Sequence, residues 1–231
     1  HRIYGDAIQD KSENPTFLKL ANAYQQSLLA KQGQYSEIPN LQTTPWDHQN
    51  RAYSFAKYLT GAALICGMGT GKTLMALGII QSRAHKCNMV VCPKNVLSVW
   101  PDQIIEHATD SFVIANTDSK KTIAKRVEDV KRLYNFAWAK NRPFIMLTNY
   151  EAFWREKMAE FITSVWWDNI IYDEIQHLKD PKGKAAKFSH ELPDYSTYRL
   201  GLTGTFIPNN PTDVFSQCKA LDSSVLGNSS F

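Results

Sequence analysis

Long apolar runs are absent from this sequence. Its most apolar stretch, Gly61 to Cys66, has the length of a strand and is far shorter than the roughly 20 residues of a membrane-spanning helix. The 4 cysteines form no Cys-x-x-Cys pair and have no histidine at metal-ligand spacing. Internal repeats and low-complexity tracts are also missing. We therefore expect no membrane partner, no structural metal and a reduced, intracellular compartment.

A strong excess of one charge is lacking as well. The chain has 26 lysines and arginines against 22 aspartates and glutamates, a formal net charge of +4. This charge suits contact with a phosphate backbone but is weaker than that of a dedicated nucleic-acid binder. With 231 residues, 43% of them hydrophobic, the chain can bury a core without disulfides. It begins with His1-Arg2-Ile3 and no signal peptide, which favours an excised fragment over a secreted precursor.

Helix and strand signals divide the chain into two parts. Residues 1–40 predict a helical extension and linker, because Asn14-Pro15 is a typical helix start and apolar residues then recur at helical spacing. In residues 41–231, strands alternate with helices. This alternation predicts an α/β fold with a mostly parallel sheet and helices on both faces. The predicted strands are 62–66, 89–92, 111–115, 144–147, 169–172 and 198–202, and the predicted helices begin near 47, 72, 95 and 118.

A glycine-rich segment lies between the first of these strands and the next helix. It reads Cys66-Gly67-Met68-Gly69-Thr70-Gly71-Lys72-Thr73, in the context that a phosphate-binding loop requires. Its glycines let backbone N–H groups face the β- and γ-phosphates, Lys72 supplies a positive charge, and Thr73 supplies a hydroxyl for Mg²⁺. The usual pattern has glycine or alanine where Cys66 stands, and cysteine is small enough to fit. Nucleotide contacts are expected from Gly67, Met68, Gly69, Thr70, Gly71, Lys72, Thr73 and Leu74.

Two adjacent carboxylates follow another buried strand. Asp173 and Glu174 come directly after the predicted strand 169–172, and the carboxyl ends of strands in a doubly wound sheet face the ligand. Asp173 is placed to hold Mg²⁺, and Glu174 to take a proton from an attacking water. A turn of hydroxyls and amides, Thr203-Gly204-Thr205, follows the last predicted strand and is suited to sensing the γ-phosphate.

Together these segments resemble helicase superfamily 2, and within it the SWI/SNF-type double-stranded DNA translocases. The resemblance covers about residues 41 to 231, and it includes Val90–Trp100, similar to motif Ia, and Leu147–Glu151, similar to motif Ib. Leu202–Thr205 and the following Pro208-Asn209-Asn210 are close to motif III. The resemblance implies the first RecA-like P-loop domain of a motor that uses ATP and Mg²⁺. Such a motor moves on double-stranded DNA and works with a second RecA-like domain of the same full-length chain.

The resemblance also implies roles for single residues. Asp47-His48-Gln49 fits the family's Q motif, so Gln49 is expected to read adenine. The expected catalytic residues are Lys72, Asp173, Glu174 and Gln176, and the expected metal ligands are Thr73 and Asp173. Coupling of hydrolysis to movement is expected from Thr203, Gly204 and Thr205. Contacts to the nucleic-acid backbone are expected from Lys94, Asn149 and Tyr150.

Two positions depart from the family pattern. The family has histidine as the fourth residue of Asp-Glu-Ala-His, whereas here Ile175-Gln176 intervenes and His177 comes one place later. Gln176 can hydrogen-bond towards Thr203 or Thr205, but it cannot titrate near neutral pH. The aspartate-glutamate pair that precedes the family's phosphate loop is replaced by Ile65-Cys66.

Other interpretations stay open. The motifs also fit the motor of a restriction or RNA-unwinding system, and a binding module that uses ATP as a conformational switch. Phe153, Trp154, Trp166 and Trp167 are expected to be core and surface aromatics. The basic face of the helix from 118 is expected to face solvent, with an approach to DNA as the alternative. We expect a nuclear location in a eukaryote, and a cytoplasmic, nucleoid-associated one in a prokaryote or virus.

Overall fold

The computed structural model describes residues 32–84, 86–118, 121–205 and 213–223, together with six helical positions: 21, 22, 24, 25, 28 and 29. Much of the predicted extension 1–40 therefore lies outside the described residues, and so does Pro208-Asn209-Asn210. Within the described ranges, no helix is long and apolar enough to cross a membrane.

The described part of the chain contains six strands and seven α-helices with named bounds. The strands are β1 (Gly61–Ile65), β2 (Cys87–Cys92), β3 (Val113–Asn116), β4 (Phe144–Asn149), β5 (Trp167–Asp173) and β6 (Ser196–Thr203). The helices are α1 (Asp47–Ala56), α2 (Lys72–Ser82), α3 (Val99–His107), α4 (Ile123–Ala139), α5 (Glu156–Thr163), α6 (Lys184–Glu191) and α7 (Asp213–Leu221). Short 3₁₀ turns lie at Lys94–Val96, Ile175–Leu178 and Leu192–Tyr195.

All six strands pair in parallel in the order β1-β6-β5-β2-β4-β3. Parallel strands end at the same edge of the sheet, and this order divides that edge into two halves. The half formed by β1, β6 and β5 carries the glycine-rich loop, the threonine turn and the paired carboxylates. The half formed by β2, β4 and β3 carries Lys94 and Asn149. The predicted α/β fold is therefore confirmed.

Helices cover both faces of the sheet. On one face α1, α2 and α3 bury side chains such as Leu77, Ile80 and Trp100 against the strands. On the other face α4, α5, α6 and α7 contribute side chains such as Val130 and Phe161. Strands buried on both faces tend towards continuous apolar runs, and the segments 89–92 and 144–147 are of this kind.

Two predicted helices begin later than expected. The helix expected near 95 is a 3₁₀ turn followed by α3, because Pro101 has no N–H to donate and fits only the first turn of a helix. The helix expected from 118 begins after Thr122, whose side chain accepts a hydrogen bond from the N–H of Lys125 at 3.4 Å. No sequence prediction corresponds to α5, α6 or α7.

Arg83 joins α1, α2 and the sheet at the end opposite the glycine-rich loop. Its Nη2 donates to the carbonyls of Ala56, Lys57 and Leu59 at 3.2, 2.9 and 3.3 Å, and its Nη1 donates to Asn169 Oδ1 at 3.1 Å. The guanidinium also lies 3.7 Å from the centre of the Tyr198 ring. A cation at the carboxyl end of a helix interacts favourably with its exposed carbonyls. This arrangement fixes α1, and with it Gln49, relative to α2.

Candidate functional site

The glycine-rich loop connects β1 to α2 and closes on itself. Gly69 and Gly71 adopt positive φ angles of 76° and 77°, a conformation that a side chain would strain. Thr70 Oγ1 donates to the carbonyl of Gly67 at 2.8 Å, and Lys72 Nζ donates to the carbonyls of Cys66 and Gly67, both at 3.0 Å. The loop therefore places a lysine ammonium and the N-terminus of an eleven-residue helix at one point, which favours an anion.

The remaining residues expected at this loop have different surroundings. The Met68 side chain is 93% exposed, whereas Leu74 is buried in the core under the loop. Thr73 is half-buried in the first turn of α2. Any contact that Leu74 makes with a bound phosphate is therefore through its backbone N–H.

Gln49 braces this loop from α1. Its Nε2 donates to the carbonyl of Thr70 at 3.1 Å, and its Oε1 accepts from the N–H of Trp46 at 2.8 Å. The side chain is only 6% exposed, and a Cβ at Gly71 would collide with its amide nitrogen. His48 Nε2 also lies 3.0 Å from the carbonyl of Thr70. Gln49 is thus in contact with the loop, and one hydrogen of Nε2 and one lone pair of Oε1 stay available to a base.

Asp173 lies at the carboxyl end of β5, two strands away from the loop. It is 8% exposed, and its Oδ2 accepts a hydrogen bond from Trp100 Nε1 at 3.0 Å. Burial raises the pKa of this carboxyl above its ordinary value, and the Trp100 bond opposes that rise. A nearby cation would stabilise the ionised form of a carboxylate that is buried in this way.

A chain of hydrogen bonds connects the carboxylates to the threonine turn. Gln176 Nε2 donates to Glu174 Oε2 at 2.7 Å, Thr203 Oγ1 donates to Gln176 Oε1 at 2.6 Å, and the N–H of Thr205 donates to Thr203 Oγ1 at 2.9 Å. The expected bond from Gln176 towards Thr203 is thus confirmed. The N–H of Cys66 also donates to the Thr203 carbonyl at 2.9 Å, which ties the turn to the glycine-rich loop.

Glu174 turns the chain sharply after β5. Its φ and ψ are 53° and 57°, the left-handed region that residues other than glycine seldom adopt. The 3₁₀ turn that follows packs its buried Ile175 onto β6, where a Cβ at Gly201 would lie 2.7 Å from Ile175 Cδ1. Glycine at 201 therefore lets this turn approach the sheet closely. Unusual backbone angles of this kind concentrate at functional sites.

The other half of the sheet edge forms an open basic cavity of about 420 Å³. Lys94, predicted to contact the nucleic-acid backbone, is exposed there. Asn149 lines the cavity with its Oδ1 buried and without a hydrogen-bond partner among the described residues. Four basic side chains line it, together with two acidic ones. They are Lys94, Lys121, Arg126 and Arg155, with Asp118 and Glu151.

Three of these basic residues are not among the nucleic-acid contacts expected from the sequence. The basic face of α4, which includes Arg126, was expected to face solvent, with an approach to DNA as the alternative. Arg126 lines the cavity, and its Nε donates to the carbonyl of Lys121 at 3.0 Å. Arg155 follows motif Ib by a few residues, and its Nε donates to the carbonyl of Glu151 at 2.9 Å. The positive charges of these residues are visible in the sequence. Their place in the cavity could not be predicted, because it depends on how α4 packs beside β4.

Tyr150 is a correction to the expected nucleic-acid contacts. Its side chain is only 4% exposed, and its hydroxyl donates to the carbonyl of Asp173 at 2.9 Å. The ring therefore points into the protein, away from the basic cavity. Phe153 and Trp167 are fully buried, as expected of core aromatics.

A family model describing the SNF2-related domain matches residues 48–231. The chain belongs to the SNF2-related domain family. Curated relatives include the mouse (Mus musculus) Chromodomain-helicase-DNA-binding protein 1-like, 27% identical over 155 residues, which covers 64% of this chain and 16% of that protein. The Arabidopsis thaliana Chromatin-remodeling ATPase INO80 is 27% identical over 156 residues, which covers 64% of this chain and 10% of that protein. The SNF2-related family is thus one of helicase-like ATPases.

Solved structures agree with this membership. The Sulfolobus solfataricus SWI2/SNF2 ATPase core in complex with dsDNA is 27% identical, with a TM-score of 0.67, and the match covers 84% of this chain and 39% of that one. The Pyrococcus furiosus Hef helicase domain, at 18% identity and a TM-score of 0.56, shares the fold. The chain spans less than a fifth of the two curated relatives named above. Its RecA-like fold is nevertheless that of an SNF2-type ATPase core.

Proposed function

We propose that this chain is the ATP-binding motor domain of an ATP-dependent DNA translocase or helicase, the first of two RecA-like domains, which couples hydrolysis to movement on duplex DNA. One observation carries the proposal. The phosphate-loop lysine, the buried Asp173 and the Glu174–Gln176–Thr203 hydrogen bonds follow three adjacent strands at one edge of the sheet.

The nucleotide half of the edge has the groups that ATP and Mg²⁺ require. Lys72 and the N–H groups from Gly67 to Leu74 bind the β- and γ-phosphates, and Gln49 reads adenine. Hydroxyl and carboxylate oxygens are the protein ligands that Mg²⁺ prefers, and Thr73 and Asp173 supply one each. Asp173 is buried, and the burial that raises its pKa fits a cation at this place. When bound, Mg²⁺ neutralises charge that develops on the phosphates.

Glu174 acts as the base of the hydrolysis. It orients the attacking water and accepts its proton, while Gln176 holds one carboxylate oxygen in place. Gln176 also joins Glu174 to Thr203, so the threonine turn, with Gly204 and Thr205, relays loss of the γ-phosphate.

The basic half of the edge suits a nucleic-acid backbone. Lys94 and Asn149 contact phosphates there, and Arg126 and Arg155 add positive charge, whereas Lys121 is ion-paired with Asp129. Such contacts are independent of sequence and sensitive to salt, with log affinity falling against log salt at a slope of about −0.9 for each phosphate contacted. The related archaeal core was solved with double-stranded DNA, which supports DNA as the polymer. A nuclear location follows if the chain is eukaryotic, and a nucleoid-associated one if it is prokaryotic or viral.

Hydrolysis requires an arginine that the described residues near the nucleotide do not supply. Arg199 is buried in the first half of β6, where its Nε donates to the Leu221 carbonyl at 2.6 Å and its Nη1 to the Ser196 carbonyl at 2.9 Å. Its guanidinium is therefore held near the first residue of the strand, away from the threonine turn at the other end. Losing an arginine finger typically costs about 10³–10⁵ in turnover. The second RecA-like domain is expected to provide this arginine.

A phosphate-release assay tests the proposal. The 231-residue chain is expected to bind ATP but to hydrolyse it barely above background, with DNA adding little. A longer version that includes the second domain is expected to hydrolyse ATP with strong stimulation by duplex DNA, and Glu174→Gln to abolish this without abolishing ATP binding. Stronger stimulation by RNA than by DNA would contradict the assignment of DNA as the polymer. ATP binding without hydrolysis in the longer protein would indicate a binding module that uses ATP as a conformational switch.

A further inference from the structure

Tyr150 lies between the two halves of the site. The residues on either side of it, Asn149 and Glu151, both line the basic cavity. Its own side chain leaves that cavity and is buried, and its hydroxyl donates to the carbonyl of Asp173 at 2.9 Å. The backbone of Tyr150 therefore lies beside the basic cavity, while its hydroxyl contacts the segment that carries the two carboxylates.

This hydrogen bond spans a strand of the sheet. Tyr150 follows β4 and Asp173 ends β5, and β2 lies between these two strands. Two strand spacings amount to roughly 10 Å, a distance that the tyrosine side chain bridges past the end of β2. The carbonyl that it holds belongs to the peptide that links Asp173 to Glu174. The hydroxyl thus fixes the plane of the peptide from which Glu174 enters its left-handed conformation.

Two aromatic contacts limit the movement of the Tyr150 ring. His177 stacks on it with a centroid distance of 5.0 Å and an interplanar angle of 10°. Phe153 meets it edge-on at 6.1 Å and 89°. His177 belongs to the 3₁₀ turn that also carries Gln176, the partner of Glu174 and Thr203. A shift of segment 149–151 is therefore passed to the carboxylates through the hydroxyl and through the stacked ring.

We propose that Tyr150 is a positioning residue that couples binding of a nucleic-acid backbone at the basic cavity to the placement of Glu174. Its hydroxyl acts through the Asp173 carbonyl, and the stacked ring of His177 holds its ring in place. The inference rests on the proposed function, because it needs ATP hydrolysis that nucleic acid stimulates. Coupling between two sites typically changes the measured response by a factor of about 5 to 150.

The test is Tyr150→Phe in the full-length protein, which removes one oxygen and keeps the ring. Turnover is measured at saturating ATP with and without a saturating duplex DNA of arbitrary sequence. The ratio of these two turnovers is expected to fall about tenfold, while KM for ATP and Kd for DNA stay within about twofold. His177→Leu, at an exposed position, is expected to lower the same ratio by a smaller factor of about three.

The matched control is Tyr172→Phe, one residue before Asp173 on β5. The Tyr172 hydroxyl is also fully buried, but it has no hydrogen-bond partner among the described residues, so its removal is expected to leave the ratio unchanged. Thermal unfolding of each variant verifies that it is folded.

An unchanged ratio in Tyr150→Phe would overturn the inference, and so would a parallel loss of DNA affinity, which would make Tyr150 part of the DNA interface. If Tyr150→Phe does not fold, an unchanged ratio in His177→Leu overturns it. Failure of the proposed function looks different, because the wild-type protein would then show no ATP hydrolysis that DNA stimulates.

Discussion

Replacing Arg83 with methionine tests how α1 is held beside the phosphate loop. Methionine keeps an unbranched apolar chain but removes the guanidinium that binds three carbonyls at the end of α1, Asn169 on β5 and the face of Tyr198. These contacts join two helices and two strands. Their loss is therefore expected to lower the stability of the whole sheet half that carries the nucleotide residues.

The magnitude follows from the geometry. Nη2 has two hydrogens for three carbonyls, so it and Nη1 make at most three of these four hydrogen bonds at once, worth about 1–1.5 kcal/mol each. The stacked tyrosine adds about 1–2 kcal/mol. Burial opposes this gain: it lowers the pKa of Arg83 to about 10, which corresponds to a cost of about 3 kcal/mol for holding the charge. Arg83→Met is therefore expected to destabilise the fold by about 2–3 kcal/mol.

Thermal unfolding followed by circular dichroism measures the effect. For a domain of this size, that loss corresponds to a melting temperature roughly 5–10 °C lower. Arg142→Met is the control, because among the described residues its guanidinium donates solvent-exposed hydrogen bonds only to the Ser111 carbonyl, at 3.0 and 2.7 Å. The control is expected to change the melting temperature by about 2 °C or less. An equally small change in Arg83→Met would refute the structural role assigned to this cation.

Three further predictions concern the nucleotide residues. Lys72→Ala is expected to weaken the binding of a fluorescent ATP analogue about a hundredfold, and unchanged affinity would contradict the role of Lys72. Gln49→Ala is expected to weaken the binding of ATP more than the binding of GTP, and equal losses for the two nucleotides would contradict the role of Gln49. Asp173→Asn is expected to raise the melting temperature of the nucleotide-free chain at neutral pH. Because the Asp173 pKa is higher in the folded chain, wild-type stability falls as pH rises from the ordinary carboxyl pKa through the raised one. The higher melting temperature of Asp173→Asn should therefore return to the wild-type value on acidification. A melting temperature below that of the wild type at neutral pH would contradict this prediction.

The nucleotide half of the site was predictable because its chemistry is local in the sequence. A phosphate loop needs a strand, small residues with free backbone angles and a lysine at the helix start, and all of these stand together between Cys66 and Thr73. The paired carboxylates similarly follow a buried strand. Even the bond between Gln176 and Thr203 was predictable, because both residues follow strands that end at the same edge.

The position of Tyr150 was not predictable in this way. A tyrosine just after a strand can turn towards solvent or towards the core, and the choice depends on the carbonyl and the ring that neighbouring strands supply. The helices α5 and α6 were missed for a different reason. Neither begins with a side-chain cap, since Arg155 and Gly183 precede them, so their formation depends on packing against the sheet.

The sheet order also determines when the nucleotide site can form as the chain folds. β1, which leads into the phosphate loop, pairs with β6 and has no other neighbour among the described strands, and Gly61 is matched to Arg199 near the other end of the described chain. Such long-range parallel pairing closes a large loop before it gains any contact, and it is therefore slow. During synthesis the strand before the loop has no partner until β6 has left the ribosome. A chain that stops before residue 196 is thus expected to be without a formed ATP site, although it contains every residue of the loop itself.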